Sequence, residues 1–132
     1  ESQDAMAELR AMIKAYKLFT GTDGNSHVET GVLKEHEPDE VRSIHFAETA
    51  AHGSFHWHTA PEAQYVISLS GTLEFTVRDG HSFFLRPGDV LIALDTTGTA
   101  HKWRMLGDEP WRRAYVVLKA GQSALFVSES RI

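Results

Sequence analysis

The sequence predicts an all-β chain: a small double-sheet sandwich or barrel preceded by a short N-terminal helix. Three observations carry that reading. Leu73, Phe75 and Val77 alternate with Glu74, Thr76 and Arg78, the two-residue period of a strand with one buried face. Short apolar runs recur along the chain with Gly, Pro, Asn or Asp between them, at the ~8–12 residue spacing of strands in a sandwich or barrel. Only residues 3–15 repeat apolar side chains at helical spacing, through Ala5, Met6, Leu9, Met12 and Ile13.

The elements follow in order. The helix is placed over 3–15. The turn Gly21-Thr22-Asp23-Gly24-Asn25 separates strands near 15–20 and 27–35. The stretch Lys34–Glu40 is charged and holds Pro38, so it reads as a surface loop before a strand at 41–49. Strands are then expected at 54–58, 64–70, 72–78 and 81–86, with Asp79-Gly80 as a two-residue hairpin turn between the last two. Pro87-Gly88 ends that run, and strands near 90–94, 100–106 and 111–119 complete the set.

Length and composition bound the function. A chain of 132 residues is read as one domain over 1–132, able to bury a core without cross-links. It holds 13 Lys and Arg against 18 Asp and Glu, a net charge of −5. That balance sets aside nucleic acid and anionic membranes as partners and leaves a small molecule. No apolar run approaches the ~20 residues that span a bilayer. The absence of cysteine removes a disulfide framework, a thiolate zinc site and a cysteine nucleophile. The first residue is Glu1 rather than Met, which leaves a removed signal peptide or an added tag remnant open. The compartment is accordingly open between cytoplasm and periplasm.

The chemistry concentrates in three histidines. His56 and His58 are two apart in an expected strand, where alternation puts them on one face. His101 arrives from a distant strand. Three neutral imidazoles converging in this way are what a divalent transition metal needs. Trp103 and Met105 share the parity of His101 and are expected to wall the same space, with Lys102 and Arg104 turned to solvent. Tyr65 should point away from the site, as a core aromatic beside Ile67 and Leu69. His27, His36, His45, His52 and His81 have no partner at ligand spacing and read as surface or structural residues. Asp95 is a candidate proton shuttle near His101 or a turn-forming Asp. Arg42, Arg86 and Arg113 are each able to anchor a substrate carboxylate, and the sequence does not choose among them. Ser54 and Ser68 lack a nucleophile elbow.

Gly53, His56, His58, Gln64 and Gly71, followed by Gly80, Pro87, Gly88 and His101, resemble the two-part pattern of the cupin family over about residues 42–119. The run Asp95-Thr96-Thr97-Gly98 ahead of His101 looks like a small-cupin subgroup without an assigned reaction. The resemblance implies a double-stranded β-helix, or jelly-roll barrel. Inside it, one divalent metal (Fe, Ni, Mn, Zn or Cu) would be held by His56, His58, His101 and an oxygen ligand. It implies a metal-dependent dioxygenase, isomerase or lyase acting on a small oxygenated or carboxylate compound, with a non-catalytic small-molecule-binding cupin as the alternative. It also implies a homodimer.

The chain departs from the family pattern in three respects, one of them a connection from Pro87-Gly88 to His101 that is longer than usual. The family's Glu is replaced by Gln64, which keeps the six-residue gap to Gly71, whereas Glu62 has the right gap from His58. Gln64 is favoured as the metal ligand because it opens a strand, and Glu62, which follows Pro61, is the candidate for moving a proton. A carboxamide leaves a divalent site at a higher positive charge than a carboxylate does, which favours anionic substrates and weakens metal binding. The family's terminal Asn is replaced by Met105.

Overall fold

The computed structural model describes residues 12–131. Within them the chain is all β. β1 (Lys14–Thr20), β2 (Ser26–Leu33), β3 (Val41–Thr49) and β4 (Ser54–His58) lead into β5 (Gln64–Ser70), β6 (Thr72–Val77) and β7 (Ser82–Leu85). β8 (Val90–Ala93), β9 (His101–Leu106), β10 (Trp111–Leu118) and β11 (Phe126–Ser128) follow, and a 3-10 turn at Glu129–Arg131 ends the described chain. Ten of these strands fall where the alternation places them. β11 and the 3-10 turn have no counterpart in the sequence reading, because three residues are too few to establish a period.

The expected helix over 3–15 lies mostly outside the described residues. Where it enters them, Lys14 and Ala15 already belong to β1. Ala15 and Leu18 are wholly buried there, with β2 antiparallel on one side and β8 parallel on the other. Two flanking strands satisfy the backbone of this segment, which overrides its helical composition.

The strands form two sheets. The larger runs β11-β2-β1-β8-β5-β10-β3 and the smaller β4-β9-β6-β7. They face each other across a core of Leu18, Val66, Leu73, Phe75, Phe83, Leu85, Leu91, Trp103 and Trp111. Each large apolar side chain buried in this way contributes about 1.5–3 kcal/mol. A second cluster around Tyr65, Val90, Ile92 and Leu118 lies on the other face of the large sheet, with Ala124 and Phe126 packed against it. Tyr65 fastens that cover, its hydroxyl donating to Asp39 and accepting from the Leu125 amide at 2.8 Å. The expectation that Tyr65 faces away from the site holds.

Two turns shape the region beside the site. Val77 N donates to His81 O at 3.0 Å, so the β6–β7 loop is Arg78-Asp79-Gly80, three residues rather than the expected two. Gly80 takes φ 93°, the left-handed position of a hairpin closed by a glycine bulge. Arg86-Pro87-Gly88-Asp89 is a turn with Pro second and Gly third, Gly88 at φ 91°, the arrangement a type II turn requires.

Candidate functional site

The site is a cavity of about 390 Å³ between the two sheets. β10 places Trp111, Arg113 and Tyr115 on its inner side, and β5 and β8 contribute Gln64, Val66, Leu91 and Ala93. Across from them stand Phe55 and His58 of β4, His101 and Trp103 of β9, and Phe75 of β6. The β4–β5 loop closes one side with Ala60, Pro61 and Glu62. The walls combine aromatic and aliphatic side chains with six polar ones, and the volume lies in the ~300–1,000 Å³ range of small-molecule pockets.

Three of the four residues expected to share the site do so: His58, Gln64 and His101 all line the cavity. His56 does not. β4 pairs with β9 through Ser54↔Arg104 and Phe55↔Trp103, and next through His58↔His101. Two residues, His56 and Trp57, therefore oppose the single Lys102. This is a β-bulge, and it breaks the alternation that would put His56 beside His58. Phe55 takes the inward position instead, stacked on His58 at 4.0 Å. His56 lies in a groove on the outside of the small sheet with Glu74, Thr76, Lys102 and Arg104. Trp57 lies beneath two cations, the Arg78 guanidinium at 3.8 Å and the Lys102 ammonium at 5.0 Å.

The two inward imidazoles adjoin, their ring centroids 4.4 Å apart. Each is fixed through Nδ1. His58 Nδ1 donates to the His56 carbonyl at 2.7 Å, and His101 Nδ1 donates to Asp95 Oδ2 at 2.5 Å. Nε2 is the nitrogen left on each ring for a ligand. Burial, and to a lesser degree the neighbouring His101, hold His58 below its ordinary pKa, against the pull of its own hydrogen bond and of Asp95. The His58 ring is therefore neutral at pH 7 and its Nε2 carries a lone pair.

Asp95, a turn residue or a proton shuttle on the sequence alone, is a wholly buried carboxylate that orients His101. Its other oxygen, Oδ1, is buried without a partner among the described residues. The loop that carries it is tied down on several sides. Thr20 Oγ1 donates to Thr97 O at 2.8 Å, Ser26 N donates to Thr99 Oγ1 at 3.0 Å, and Ala60 N donates to Asp95 O at 3.0 Å. Gly98 is required in this loop, since a Cβ there would stand 2.7 Å from Gly24 O.

Glu62 reaches the cavity, but its carboxylate is ion-paired with Arg42. Trp103 walls the cavity as expected, whereas Met105 belongs to the core between the sheets. His45, read from sequence as a surface or structural residue, is exposed, lies at the cavity mouth and stacks on Tyr115 at 4.9 Å. No signal along the chain reveals it, because its relation to the site comes from the pairing of β3 with β10, which sets His45 opposite Tyr115.

The donor set bears directly on the metal. Among the described residues no group of three or more His, Asp or Glu side chains is placed to hold a metal ion. The four-ligand set with His56 does not fit this arrangement. What remains is two imidazoles and a carboxamide, in a cavity that also contains the Arg113 guanidinium. No helix among the described residues is long and apolar enough to cross a membrane.

No curated protein matches the sequence. Among solved structures, the chain is similar to protein NMB1881 from Neisseria meningitidis, at 16% identity and a TM-score of 0.42, over 66% of this chain and 88% of that one. The family model described as "Cupin domain" matches residues 44–117. That match takes in more than half of the chain and every residue that lines the cavity, so the chain belongs to the cupin family.

Proposed function

We propose that this protein is a small-molecule-binding cupin equipped for proton transfer. Its ligand occupies the cavity between the sheets and is engaged by Nε2 of His58 and of His101, with His101 as the proton acceptor. The observation that carries this reading is the buried Asp95–His101 hydrogen bond opening onto an aromatic cavity. A carboxylate behind an imidazole fixes its tautomer and orientation and stabilises the imidazolium that forms, which is the support a general base needs. Glu62 is a weaker candidate for that role, because Arg42 already engages its carboxylate.

Trp103 and Trp111 line the cavity and report on it directly. Titration of a panel of small planar compounds against tryptophan fluorescence should give saturable quenching. His101→Gln should weaken it by about tenfold, the worth of one hydrogen bond to a polar ligand group. Affinities identical in His101→Gln and wild type would overturn the assignment.

A divalent cation held by His58, His101 and Gln64 is the second reading. It is favoured by the tethering of both Nδ1 atoms, since partners of this kind orient metal-binding imidazoles. Elemental analysis decides between the two. About one first-row metal per chain, lost in His58→Ala and kept in His56→Ala, would make the cavity a metal centre. The assembly we propose is a homodimer formed through the free edge of β3.

A further inference from the structure

Among the described residues that line the cavity, Arg113 is a cation without a carboxylate partner. It is 8% exposed, and its guanidinium lies 3.9 Å over the Trp111 ring. Nε donates to Tyr115 Oη at 3.0 Å, and Nη1 donates to Thr49 Oγ1 at 2.7 Å and to Trp111 O at 3.1 Å. Every one of these acceptors is neutral. Both N–H groups of Nη2 lack an acceptor among the described residues, and no carboxylate there lies within ion-pair distance of the side chain. The nearby acids are committed elsewhere: Glu48 to Arg112, Glu62 to Arg42 and Asp95 to His101.

An unpaired buried charge is expensive, several kcal/mol even after the protein relaxes around it. Arg78 and Arg86 also lack a carboxylate partner among the described residues, but they are exposed, where water solvates them. Arg113 is instead held in place by three neutral acceptors and an aromatic face, with two donors left over. A guanidinium kept in that state is ready for an anion that arrives with a ligand. Its choice among the three arginines open from sequence follows from position. Arg42 is taken by Glu62, Arg86 is on the surface, and Arg113 is in the cavity wall.

We propose that the cavity takes a small planar carboxylate, anchored by Arg113. This rests on the ligand-binding reading above and specifies its chemistry. The anion carries one charge rather than two, because the cavity offers one uncompensated cation and already has Asp95 behind His101. The body is flat and apolar, because an aromatic array runs from the guanidinium toward the imidazoles. Arg113 contacts Trp111, Trp111 meets Trp103 at 5.0 Å and Phe75 at 6.4 Å, and Phe75 lies 5.9 Å from His101. A carboxylate on Arg113 would lay its hydrocarbon part along these rings, with its far end toward His58 and His101.

The test compares benzoate with benzamide, and cinnamate with cinnamamide, by calorimetry on the full chain. The members of each pair have nearly the same shape and differ in charge. Wild type should prefer each carboxylate by about tenfold or more, the contribution of a charge-assisted hydrogen bond. Arg113→Gln should abolish the preference, Arg113→Lys should retain part of it, and Arg112→Gln should leave it unchanged. Equal affinity of wild type for acid and amide would overturn the proposal while leaving the ligand-binding reading intact, provided both need His101. The acid–amide comparison in wild type stands even if an Arg113 variant does not fold. Failure of all four compounds to bind would overturn both readings.

Discussion

His58, Glu62, His101 and Arg113 are each held by a partner outside the cavity, and this makes individual residues testable. His58 carries a pH dependence. Burial, then the proximity of His101, lower its pKa from 6.5, so the unfolded chain takes up that proton at a higher pH than the folded one does. Below the unfolded pKa the unfolded state binds more protons, so this contribution to stability is present above pH ~6.5 and is lost as the pH falls below it. Urea midpoints should decline between about pH 7 and pH 5, and His58→Phe should decline less steeply over the same range. Parallel slopes for the two proteins would show that His58 is not held neutral. Asp95 gives a second prediction. Asp95→Ala would leave His101 Nδ1 without its acceptor, an unsatisfied donor worth about 1–3 kcal/mol. Asp95→Asn keeps an oxygen for His101 and should cost less. Denaturation of both variants checks the order, and an unchanged midpoint in Asp95→Ala would contradict the role given to the carboxylate.

Among the elements, β4 decides which histidine enters the site. Strict alternation over Ser54–His58 has two solutions. Either Phe55 and Trp57 face inward, or His56 and His58 do, and the sequence favours each for a different reason: apolar burial for the first, a histidine pair for the second. The bulge against β9 takes one from each, Phe55 and His58. It arises between strands, so reading β4 alone could not reveal it. The prediction is a sharp contrast. His56→Ala should leave ligand affinity and any metal content at the wild-type level, and His58→Ala should reduce both. Equal effects in the two variants would mean that the bulge is misplaced. Elsewhere the elements were legible because their physics is local: alternation marks β6, the Pro-Gly pair marks the turn after β7, and an apolar run marks β8. The Asp95–His101 pair was only half legible. Its residues are six apart in sequence, but a loop held by Thr20, Ser26 and Thr99 brings them together. Arg113 could not be chosen from Arg42 and Arg86 without knowing which strand faces which sheet.

For the whole molecule, the open question on the surface is the edge of the larger sheet. β3 is its last strand, bonded to β10 on one side, and its other edge has no partner among the described residues. On the outer face beside that edge, Phe46 is 70% exposed, Ile44 58% and Leu69 54%. A nine-residue edge strand beside exposed apolar side chains invites addition of another strand unless it is protected. A second copy of the chain is the partner that fits. Antiparallel pairing of β3 with itself about a two-fold axis closes this edge with the same surface on both sides. The charged pairs Glu48–Arg112 and Glu40–Lys119 flank this apolar stretch, the pattern of a polar rim around an apolar centre. Light scattering after size exclusion should therefore give a dimer for wild type and a monomer for Phe46→Glu, which places a charge at the centre of the contact. A monomeric wild type at tens of micromolar would refute the arrangement. The consequence reaches the cavity, because His45 lies on β3 at the cavity mouth and stacks on Tyr115. A partner strand along β3 would restrain that mouth, so Phe46→Glu should speed both ligand association and dissociation in stopped-flow fluorescence, with a smaller change in affinity.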